Sequence, residues 1–406
     1  MPNQHLAPAL NRQLERFPPS AINAVFTLAG RLKAQGVDVV DLSIGEPGFD
    51  TPPHVKQAAI DAIRADNTKY TPSDGTAALK QAVIHKLQRD NGLLYGPSQI
   101  AIDSGVKPLL FHVMKALLDS GSEVIIPTPC WTSYPGMVVL AGAEPVFVRC
   151  PQKKGFKLQP QDLEAAINDN TRMILLNSPG NPTGAAYTAA QMRSLTDVLL
   201  RHPNVWVLAD DIYEHIVFDH FKHANPAAVE PRLLDRTIVL NGVSKAYCMT
   251  GWRIGYAAGP EAAMQALLKV LSQATGCASS VSQVAAVAAL DGPQDYLKVW
   301  AGIYQQRRDY LIARLGQVRG LDCHVPEGAF YLYPSFAGLI GSHTPRGKRI
   351  DGSVDFATYL LEQASVAVVP GSAFEYDPNF RLSYAASMPA LEKACDRIEA
   401  AVQALI

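Results

Sequence analysis

The sequence predicts an α/β protein built on a mostly parallel sheet, followed by a smaller α+β lobe. Short apolar runs alternate with helical patterns through the middle of the chain, which is typical of strands that helices cover on both faces. The pattern changes after about Asp291, where a charged helical stretch and shorter strand-like pieces follow. With 406 residues, 48% of them hydrophobic, the chain can build two packed lobes. We expect an N-terminal arm with part of the small domain at 1–45, a large domain at 46–295 and a small domain at 296–406.

The elements of the large domain are predicted from periodicity. Amphipathic patterns predict helices at 53–65, 75–90, 107–118 and 189–201. Short apolar runs predict strands at 123–127, 145–149, 173–177, 205–209, 237–241 and 254–258. The helices between these strands imply crossover connections, and hence parallel pairing. Ligands of such sheets bind at the carboxyl ends of the strands, where several polar residues of this chain lie.

The C-terminal part has a different pattern. A helix is predicted at 299–315, ended near Gly316, and strand-like pieces follow at 330–333, 366–369 and 380–384. Between them, 341–352 is expected to be an exposed loop. The last helix is predicted from apolar positions that step by four and three from Leu391 to Leu405.

Composition limits the class of protein. The 36 basic and 37 acidic residues leave a formal charge of −1, which argues against nucleic acid or an anionic membrane as partner. The six cysteines are scattered without paired spacing, so we expect neither a metal site nor a disulfide framework. We find no signal peptide in the first twenty residues and no apolar stretch of roughly 18 residues that could cross a membrane. A cytoplasmic protein is predicted.

A lysine and an arginine suggest the cofactor. Lys245 follows the predicted strand at 237–241, where desolvation would lower its pKa and leave a neutral amine able to condense with an aldehyde. Arg253, eight residues further on (253 − 245 = 8), offers a fixed cation suited to phosphate. An aldehyde that carries a phosphate describes pyridoxal 5′-phosphate. A lysine that reaches solvent from a loop, with an arginine in a surface ion pair, remains an alternative.

Two further segments could face the ring of such a cofactor. Asp210 and Asp211 end the run at 205–209, and a carboxylate there could keep a pyridine nitrogen protonated. Tyr213 could hydrogen-bond a phenolate oxygen, and Trp131 could stack on the ring. A solvated acidic turn and ordinary core packing of the aromatic residues are the alternatives.

Three more segments could complete a site. Asn181 lies between prolines in the turn at 177–184, which could aim its amide at the O3′ oxygen of the cofactor. A helix begins after Ser104-Gly105, and free N–H groups at such a start bind phosphate, although simple capping is also common. Arg381 lies in a strand-like segment, where it could bind the α-carboxylate of a substrate or pair with an internal acid.

Motifs from about residue 19 to the C-terminus support one family. They are Gly-Glu-Pro-Gly-Phe-Asp-Thr-Pro at 45–52, Lys-Tyr-Thr-Pro at 69–72, Asn-Pro-Thr-Gly at 181–184, Asp-Asp-Ile-Tyr at 210–213, Ser-Lys-Ala-Tyr at 244–247, Gly-Trp-Arg-Ile-Gly at 251–255, Pro-Glu-Gly-Ala-Phe-Tyr at 326–331, Pro-Gly-Ser-Ala-Phe at 370–374 and Arg-Leu-Ser-Tyr at 381–384. With them the sequence resembles the class I pyridoxal-phosphate aminotransferases of fold type I. It is closest to the subgroup that holds many bacterial and plastid aspartate and prephenate aminotransferases.

The resemblance implies roles for individual residues. Lys245 would form the Schiff base, and Asp210 rather than Asp211 would meet the ring nitrogen. The other residues implied in cofactor binding are Gly105, Val106, Lys107, Trp131, Asn181, Tyr213, Ser244 and Arg253. The substrate would meet Arg381, helped by Gly45 and Asn181. Tyr70 would reach the cofactor phosphate of a neighbouring subunit, which implies a homodimer with shared active sites.

The resemblance also implies the activity, which is transfer of the amino group of an L-amino acid to 2-oxoglutarate or pyruvate by a ping-pong mechanism. A lyase or decarboxylase of the same fold is the alternative. Gly48 and Cys130 replace the aspartate and the aromatic residue usual in the family. Ile22 replaces a threonine of dicarboxylate-specific relatives, whereas Lys107 stays at a position that often meets a substrate's distal carboxylate. These two residues give opposite indications about an acidic substrate.

Overall fold

A computed structural model describes residues 11–17 and 21–406, except for the side chains at positions 12, 21–24 and 26. The described strands are β1 (Val40–Asp41), β2 (Ile100–Asp103), β3 (Glu123–Thr128), β4 (Glu144–Arg149), β5 (Thr171–Asn177), β6 (Trp206–Asp210), β7 (Thr237–Gly242), β8 (Gly255–Ala258), β9 (Tyr331–Leu332), β10 (Val366–Ala367), β11 (Val369–Pro370) and β12 (Phe380–Ser383).

The described α-helices are α1 (Ala21–Ala34), α2 (Pro53–Arg64), α3 (Ala77–Lys86), α4 (Val106–Leu117), α5 (Tyr134–Ala141), α6 (Pro160–Ala166), α7 (Ala189–Leu199), α8 (Pro226–Val229), α9 (Glu261–Ala274), α10 (Ser280–Asp291), α11 (Asp295–Leu315), α12 (Ser353–Ala364) and α13 (Met388–Gln403). No described helix has both the length and the apolar character that a membrane span requires.

A seven-stranded sheet forms the centre of the large part of the molecule. Its order is β2-β8-β7-β6-β5-β3-β4. The strands from β4 to β7 pair in parallel, whereas β8 runs antiparallel to both β7 and β2. The apolar side chains of β3, β5, β6 and β7 are buried on both faces, under the helices. The predicted α/β class with a mostly parallel, mixed sheet is confirmed.

All six strands predicted for this sheet are present with shifts of one or two residues. The sequence analysis did not identify β2, a strand of four residues at the sheet edge, and it did not identify α5, α6, α9 or α10. The helix predicted at 75–90 is wrong at its end, because α3 stops at Lys86 and a π-helical turn covers Leu87–Asn91. Helix α10 is rich in alanine and has no charged face, because it packs against both α2 and α3.

The elements after residue 295 form smaller sheets beside α11, α12 and α13. Strands β11, β12 and β9 make an antiparallel sheet, and β10 pairs in parallel with the N-terminal strand β1. The single strand predicted at 366–369 is wrong: Val368 separates two strands that belong to different sheets. The register brings the ends of β5 and β6 together as the pair Asn177 and Asp210, and β12 supplies Arg381 from the opposite side.

Candidate active site

A cavity of about 560 Å³ lies between the carboxyl ends of β5–β7 and the sheet that contains β12. This volume suits a small organic ligand. Most of the residues predicted for the site line it, namely Gly45, Val106, Lys107, Trp131, Asn181, Asp210, Tyr213, Ser244, Lys245, Arg253 and Arg381. Segments that are distant in the sequence therefore meet at one place.

Two of the predicted residues that the structure describes do not line the cavity. Gly105 lies directly behind Arg253, close enough that a side chain on the glycine would collide with the guanidinium. Tyr70 is 98% exposed and contributes nothing to the cavity of its own chain. The side chain of Ile22 lies outside the described residues.

Lys245 occupies the turn after β7. Its Nζ donates to the carbonyl of Gly45 at 2.6 Å. Burial, followed by the positive charge of Arg381, lowers the pKa of Lys245 to about 8. A substantial fraction of this amine is therefore neutral near physiological pH, as an amine must be to attack a carbonyl carbon.

The two adjacent aspartates at the end of β6 have different surroundings. Asp210 lines the cavity, and its Oδ2 accepts a hydrogen bond of 2.6 Å from the Tyr134 hydroxyl. Burial raises the pKa of the Asp210 carboxyl to about 6, which this hydrogen bond opposes. Asp211 points away and accepts from Asn225 Nδ2 at 2.6 Å. Of the two aspartates, only Asp210 lines the cavity and can face a cationic group there.

Asn177 holds the turn that contains Asn181. The Asn177 amide donates to the backbone carbonyl of Asp210 at 2.8 Å, and its Oδ1 accepts from the backbone N–H of Asn181 at 2.9 Å. One side chain thus connects the ends of two neighbouring strands and orients the turn. The side-chain oxygen of Asn181 then accepts from Arg381 Nη1 at 3.0 Å.

The start of α4 and Arg253 form an anion-binding corner. Gly105 precedes the helix with φ of 101° and no side-chain cap, so the first N–H groups of α4 stay free. Arg253 Nη1 donates only to the carbonyl of Thr250, at 2.9 Å, and makes no ion pair with any residue that the structure describes. Gly255 allows this corner to form, because a Cβ there would lie 2.5 Å from the backbone nitrogen of Val106.

Arg381 is a buried cation without an acidic partner. It is 2% exposed, and its Nη2 donates to the Ser43 carbonyl at 2.6 Å. Its Nε is buried without a hydrogen-bond partner, and no described carboxylate pairs with it. An uncompensated guanidinium in such a place is costly. The internal acid considered in the sequence analysis is absent among the described residues, so the arginine remains available to an anionic ligand.

Lys107 and Trp131 lie side by side at the cavity wall. The Lys107 ammonium is 5.3 Å from the centre of the indole ring and has no acidic partner among the described residues. The indole also packs edge-on against Tyr134, with ring centres 5.3 Å apart. The wall therefore offers an aromatic face and a free positive charge.

Several lining residues were not identified from the sequence. Tyr134 and Tyr331 contact Asp210 and Tyr213, respectively, through their hydroxyls. Glu46 and Thr250 also line the cavity and are hydrogen-bonded to each other. Two of them gave a signal: Glu46 belongs to the motif at 45–52, and Tyr331 ends the motif at 326–331 and lies in the strand predicted at 330–333. Tyr134 and Thr250 were not singled out by any pattern of their own.

The residues of this cavity fit pyridoxal phosphate. An amine of lowered pKa would meet an aldehyde, the corner of Arg253 and α4 would meet a phosphate, and the buried carboxyl of Asp210 would meet a ring nitrogen. The unpartnered Nε of Arg381 leaves one buried cation for the carboxylate of a substrate. Lys245, Arg253, Asp210 and Arg381 thus each have a complementary group on the cofactor or on an amino acid.

Comparison with known proteins agrees with this chemistry. The chain matches the family described as aminotransferase class I and II over residues 37–398. It is 54% identical over 386 residues to an aspartate aminotransferase of Rhizobium meliloti, covering 95% of this chain and 94% of that protein. It is 50% identical over 391 residues to an aspartate/prephenate aminotransferase of Cereibacter sphaeroides, covering 96% and 98% of the two chains.

Solved structures show the same similarity. The crystal structure of the aspartate aminotransferase from Rhizobium meliloti superposes with a TM-score of 0.96 at 52% identity, covering 98% of this chain and 100% of the other. The aspartate aminotransferase from Thermus thermophilus, solved with maleate, gives a TM-score of 0.90 at 37% identity, covering 97% and 100%.

Proposed function

Because the chain belongs to the class I and II aminotransferase family, we propose that it transfers the amino group of L-aspartate to 2-oxoglutarate. It is a pyridoxal-phosphate-dependent amino acid aminotransferase of fold type I. The relatives named above are all called aminotransferases, which favours transamination over a lyase reaction. The substrate and the role of each residue are our proposals.

The cofactor would be held at both of its ends. The free N–H groups at the start of α4, the Ser244 hydroxyl and Arg253 would bind the phosphate. Asp210 would bind the ring nitrogen, Asn181 and Tyr213 would lie near O3′, and the indole of Trp131 would cover the ring. When bound, pyridoxal phosphate supplies an aldehyde that condenses with amines and a protonated ring that withdraws electrons from the α-carbon of the substrate.

The residues of the chain would then control where protons move. Lys245, as a neutral amine, would take the proton from the α-carbon and later return a proton on the cofactor side. Asp210 would keep the ring nitrogen protonated. Arg381 would fix the α-carboxylate with two hydrogen bonds, so that the C–H bond faces Lys245. The 2.6 Å contact of Lys245 Nζ with the Gly45 carbonyl supports this, since it holds the amine at the cavity wall.

The proposal of an acidic substrate depends on Lys107. Its ammonium lies in the cavity wall over Trp131 and has no acidic partner among the described residues. A side-chain carboxylate of aspartate would supply that partner. In a ping-pong reaction the same site accepts both substrates, so a dicarboxylate donor also favours a dicarboxylate acceptor such as 2-oxoglutarate. The maleate bound by the Thermus thermophilus relative is likewise a dicarboxylate.

A donor comparison tests the proposed substrate. We expect Lys107→Met to lower kcat/KM for aspartate by roughly 10- to 100-fold, since a hydrogen bond to a charged group is worth about 1.5–3 kcal/mol. The kcat/KM for alanine, which has no distal carboxylate, should change by less than about threefold. Lys115→Met is the matched control, because Lys115 lies on the same helix outside the cavity.

Two results would contradict the substrate proposal. If Lys107→Met weakens aspartate and alanine equally, Lys107 does not recognise the distal carboxylate. If the unmodified protein uses aromatic or neutral donors faster than aspartate, the proposed substrate is wrong although the transaminase activity remains.

We also propose a homodimer that shares its active sites in the cytoplasm. Support for the dimer comes from Tyr70, which is 98% exposed in the single chain although it belongs to the family motif at 69–72. The six cysteines are all free, which agrees with a reducing compartment. Sedimentation of the purified protein should give twice the mass of the 406-residue chain, 43.9 kDa each.

A further inference from the structure

Tyr331 is buried where the side of the cavity formed by the large sheet meets the side formed by the sheet of β9 and β12. It is 1% exposed and lies on β9, which pairs with β12, so that Tyr331 and Ser383 are register partners. Its hydroxyl is 2.8 Å from the hydroxyl of Tyr213, which comes from the other side of the cavity. No other described residue is hydrogen-bonded to the Tyr331 hydroxyl.

The contact leaves the Tyr331 hydroxyl little freedom. The phenol rings of Tyr331 and Tyr213 meet edge to face, with centres 5.7 Å apart. A Cβ added to Gly45 would lie 2.5 Å from the Tyr331 oxygen. The glycine thus makes room for the hydroxyl at the place where it meets Tyr213.

The direction of this hydrogen bond follows from proton counting. Each phenol has one proton to donate, and its oxygen can accept further hydrogen bonds. If Tyr213 donates its proton to the O3′ oxygen of the cofactor, as proposed above, it cannot also donate to Tyr331. Tyr331 must then be the donor and the Tyr213 oxygen the acceptor.

Arg381 favours the same direction. Its guanidinium lies over the Tyr331 ring, 4.6 Å from the ring centre. Burial raises the pKa of both phenols, and the charge of Arg381 is the largest effect that opposes this rise at Tyr331. Among the described residues, the charged groups that act on the Tyr213 phenol are Arg381 from β12 and Asp210 from β6, and Lys245 after β7 lines the same cavity. Tyr331, which lies against the cation, is therefore the better donor of the pair.

We propose that Tyr331 is a positioning residue that donates to Tyr213 and thereby strengthens the hydrogen bond from Tyr213 to the cofactor. A hydroxyl that accepts one hydrogen bond becomes a stronger donor of its own proton, because hydrogen bonds in a chain polarise one another. Tyr331 also contacts Arg381, so it connects the proposed substrate-binding arginine with the proposed cofactor-facing phenol. This inference rests on the proposed role of Tyr213.

The pH dependence of the holoenzyme's visible absorption tests this inference. A hydrogen-bond donor at O3′ would stabilise negative charge on that oxygen, so it would lower the pKa at which the visible absorption of the holoenzyme changes. Loss of the Tyr331 hydroxyl should therefore move the midpoint of the absorption change to higher pH. For Tyr331→Phe we expect a shift of roughly 0.5 pH unit, because a neutral hydrogen bond changes an equilibrium by about tenfold at most.

A double-mutant cycle separates this role from simple packing. Tyr213→Phe should shift the midpoint upward by more than Tyr331→Phe does. Tyr213→Phe/Tyr331→Phe should have the same midpoint as Tyr213→Phe alone, since Tyr331 acts through Tyr213. The matched control is Tyr333→Phe, which removes a buried hydroxyl that donates to Tyr376 O at 2.9 Å, away from the cavity. It should leave the midpoint unchanged.

A second variant covers the case in which Tyr331→Phe does not fold, as judged by its thermal transition. Gly45→Ala keeps the hydroxyl but would place a Cβ 2.5 Å from it, so the hydroxyl must leave the position in which it meets Tyr213 at 2.8 Å. The midpoint should again rise and should not rise further in a Tyr213→Phe background. The inference would be overturned if the midpoint is unchanged in the folded variants, or if the shifts of the single variants add in the double mutant. Neither result would contradict the proposed transaminase activity. Reconstituted unmodified protein without any pH-dependent visible band would instead contradict the proposed function.

Discussion

At the scale of single residues, Asp210 and Asp211 show how one strand end can hold two carboxylates with separate tasks. Side chains alternate along a strand, so adjacent residues face opposite directions. Asp210 faces the cavity beside Tyr134, whereas Asp211 faces Asn225 and His223, with His223 Nε2 3.2 Å from its Oδ2. The structure therefore separates a carboxylate that can meet a ligand from one that holds a loop.

Matched amide substitutions at the two positions should give opposite results. Asp210→Asn should lower kcat by roughly 10²- to 10⁴-fold, the usual range when a group that stabilises developing charge is lost. Asp211→Asn should retain kcat per bound cofactor and lower the free energy of unfolding by about 1–3 kcal/mol, because a buried hydrogen bond is broken. Steady-state kinetics and urea unfolding of both variants measure this. A loss of kcat in Asp211→Asn with unchanged stability would assign the ring-nitrogen role to Asp211 instead.

The contacts of single residues were less predictable than their identities. The sequence identified Asp210 and Tyr213 because each belongs to a motif after a strand. Their partners Tyr134 and Tyr331 lie 76 and 118 residues away in the chain, and no local pattern connects them. Such pairs depend on how distant elements pack, which periodicity does not encode.

At the scale of elements, the strands were predicted well because their burial on both faces leaves continuous apolar runs. The helices α9 and α10 were not predicted from the sequence, although the Ser279 side chain caps the start of α10 by accepting from the backbone N–H of Ser282. The short strands β10 and β11 could not be separated from sequence, because the four apolar residues Val366–Val369 look like one strand. The break at Val368 is set by two different partners, β1 and β12.

The start of α4 makes an element-scale prediction about cofactor affinity. In Gly105→Ala the new Cβ would collide with the guanidinium of Arg253, and the positive φ of 101° would also be strained. The matched control is Gly142→Ala after α5, where φ is 94° and a Cβ meets nothing within 4 Å. Backbone strain should cost Gly142→Ala, in the left-handed region, about 1 kcal/mol of stability. It should cost Gly105→Ala, whose ψ of 163° is essentially restricted to glycine, about 1–3 kcal/mol.

Only Gly105→Ala should also lose cofactor affinity, by roughly 10-fold or more in the Kd of the apoprotein for pyridoxal phosphate, because it displaces a charged phosphate ligand. Fluorescence titration of both apoproteins gives this comparison. Equal Kd values in the two variants would show that the corner of α4 and Arg253 does not bind the phosphate.

At the scale of the whole molecule, the cavity depends on two separate parts of the chain. One side supplies Lys245, Asp210 and Tyr213 from the large sheet, and the other supplies Tyr331 and Arg381 from the sheet of β9 and β12. Hydrogen bonds of Arg381 to Asn181 and of Tyr331 to Tyr213 join the two sides. The groups proposed to bind substrate are therefore positioned against those proposed to bind cofactor only when both parts are packed together.

The proposed homodimer predicts that inactive subunits can complement each other. Lys245→Ala should abolish catalysis while still binding cofactor without a covalent link, and Tyr70→Ala should weaken the phosphate site of the neighbouring subunit. When the two variants exchange subunits, each hybrid dimer has one site with an intact lysine and an intact tyrosine. With random exchange half of the dimers are hybrids, so about a quarter of the unmodified specific activity should appear. Each variant alone is the control, and native mass spectrometry verifies the exchange. If hybrids form and the mixture is no more active than the mean of its parents, Tyr70 does not act across the interface, because only a shared site can be rebuilt from two different subunits.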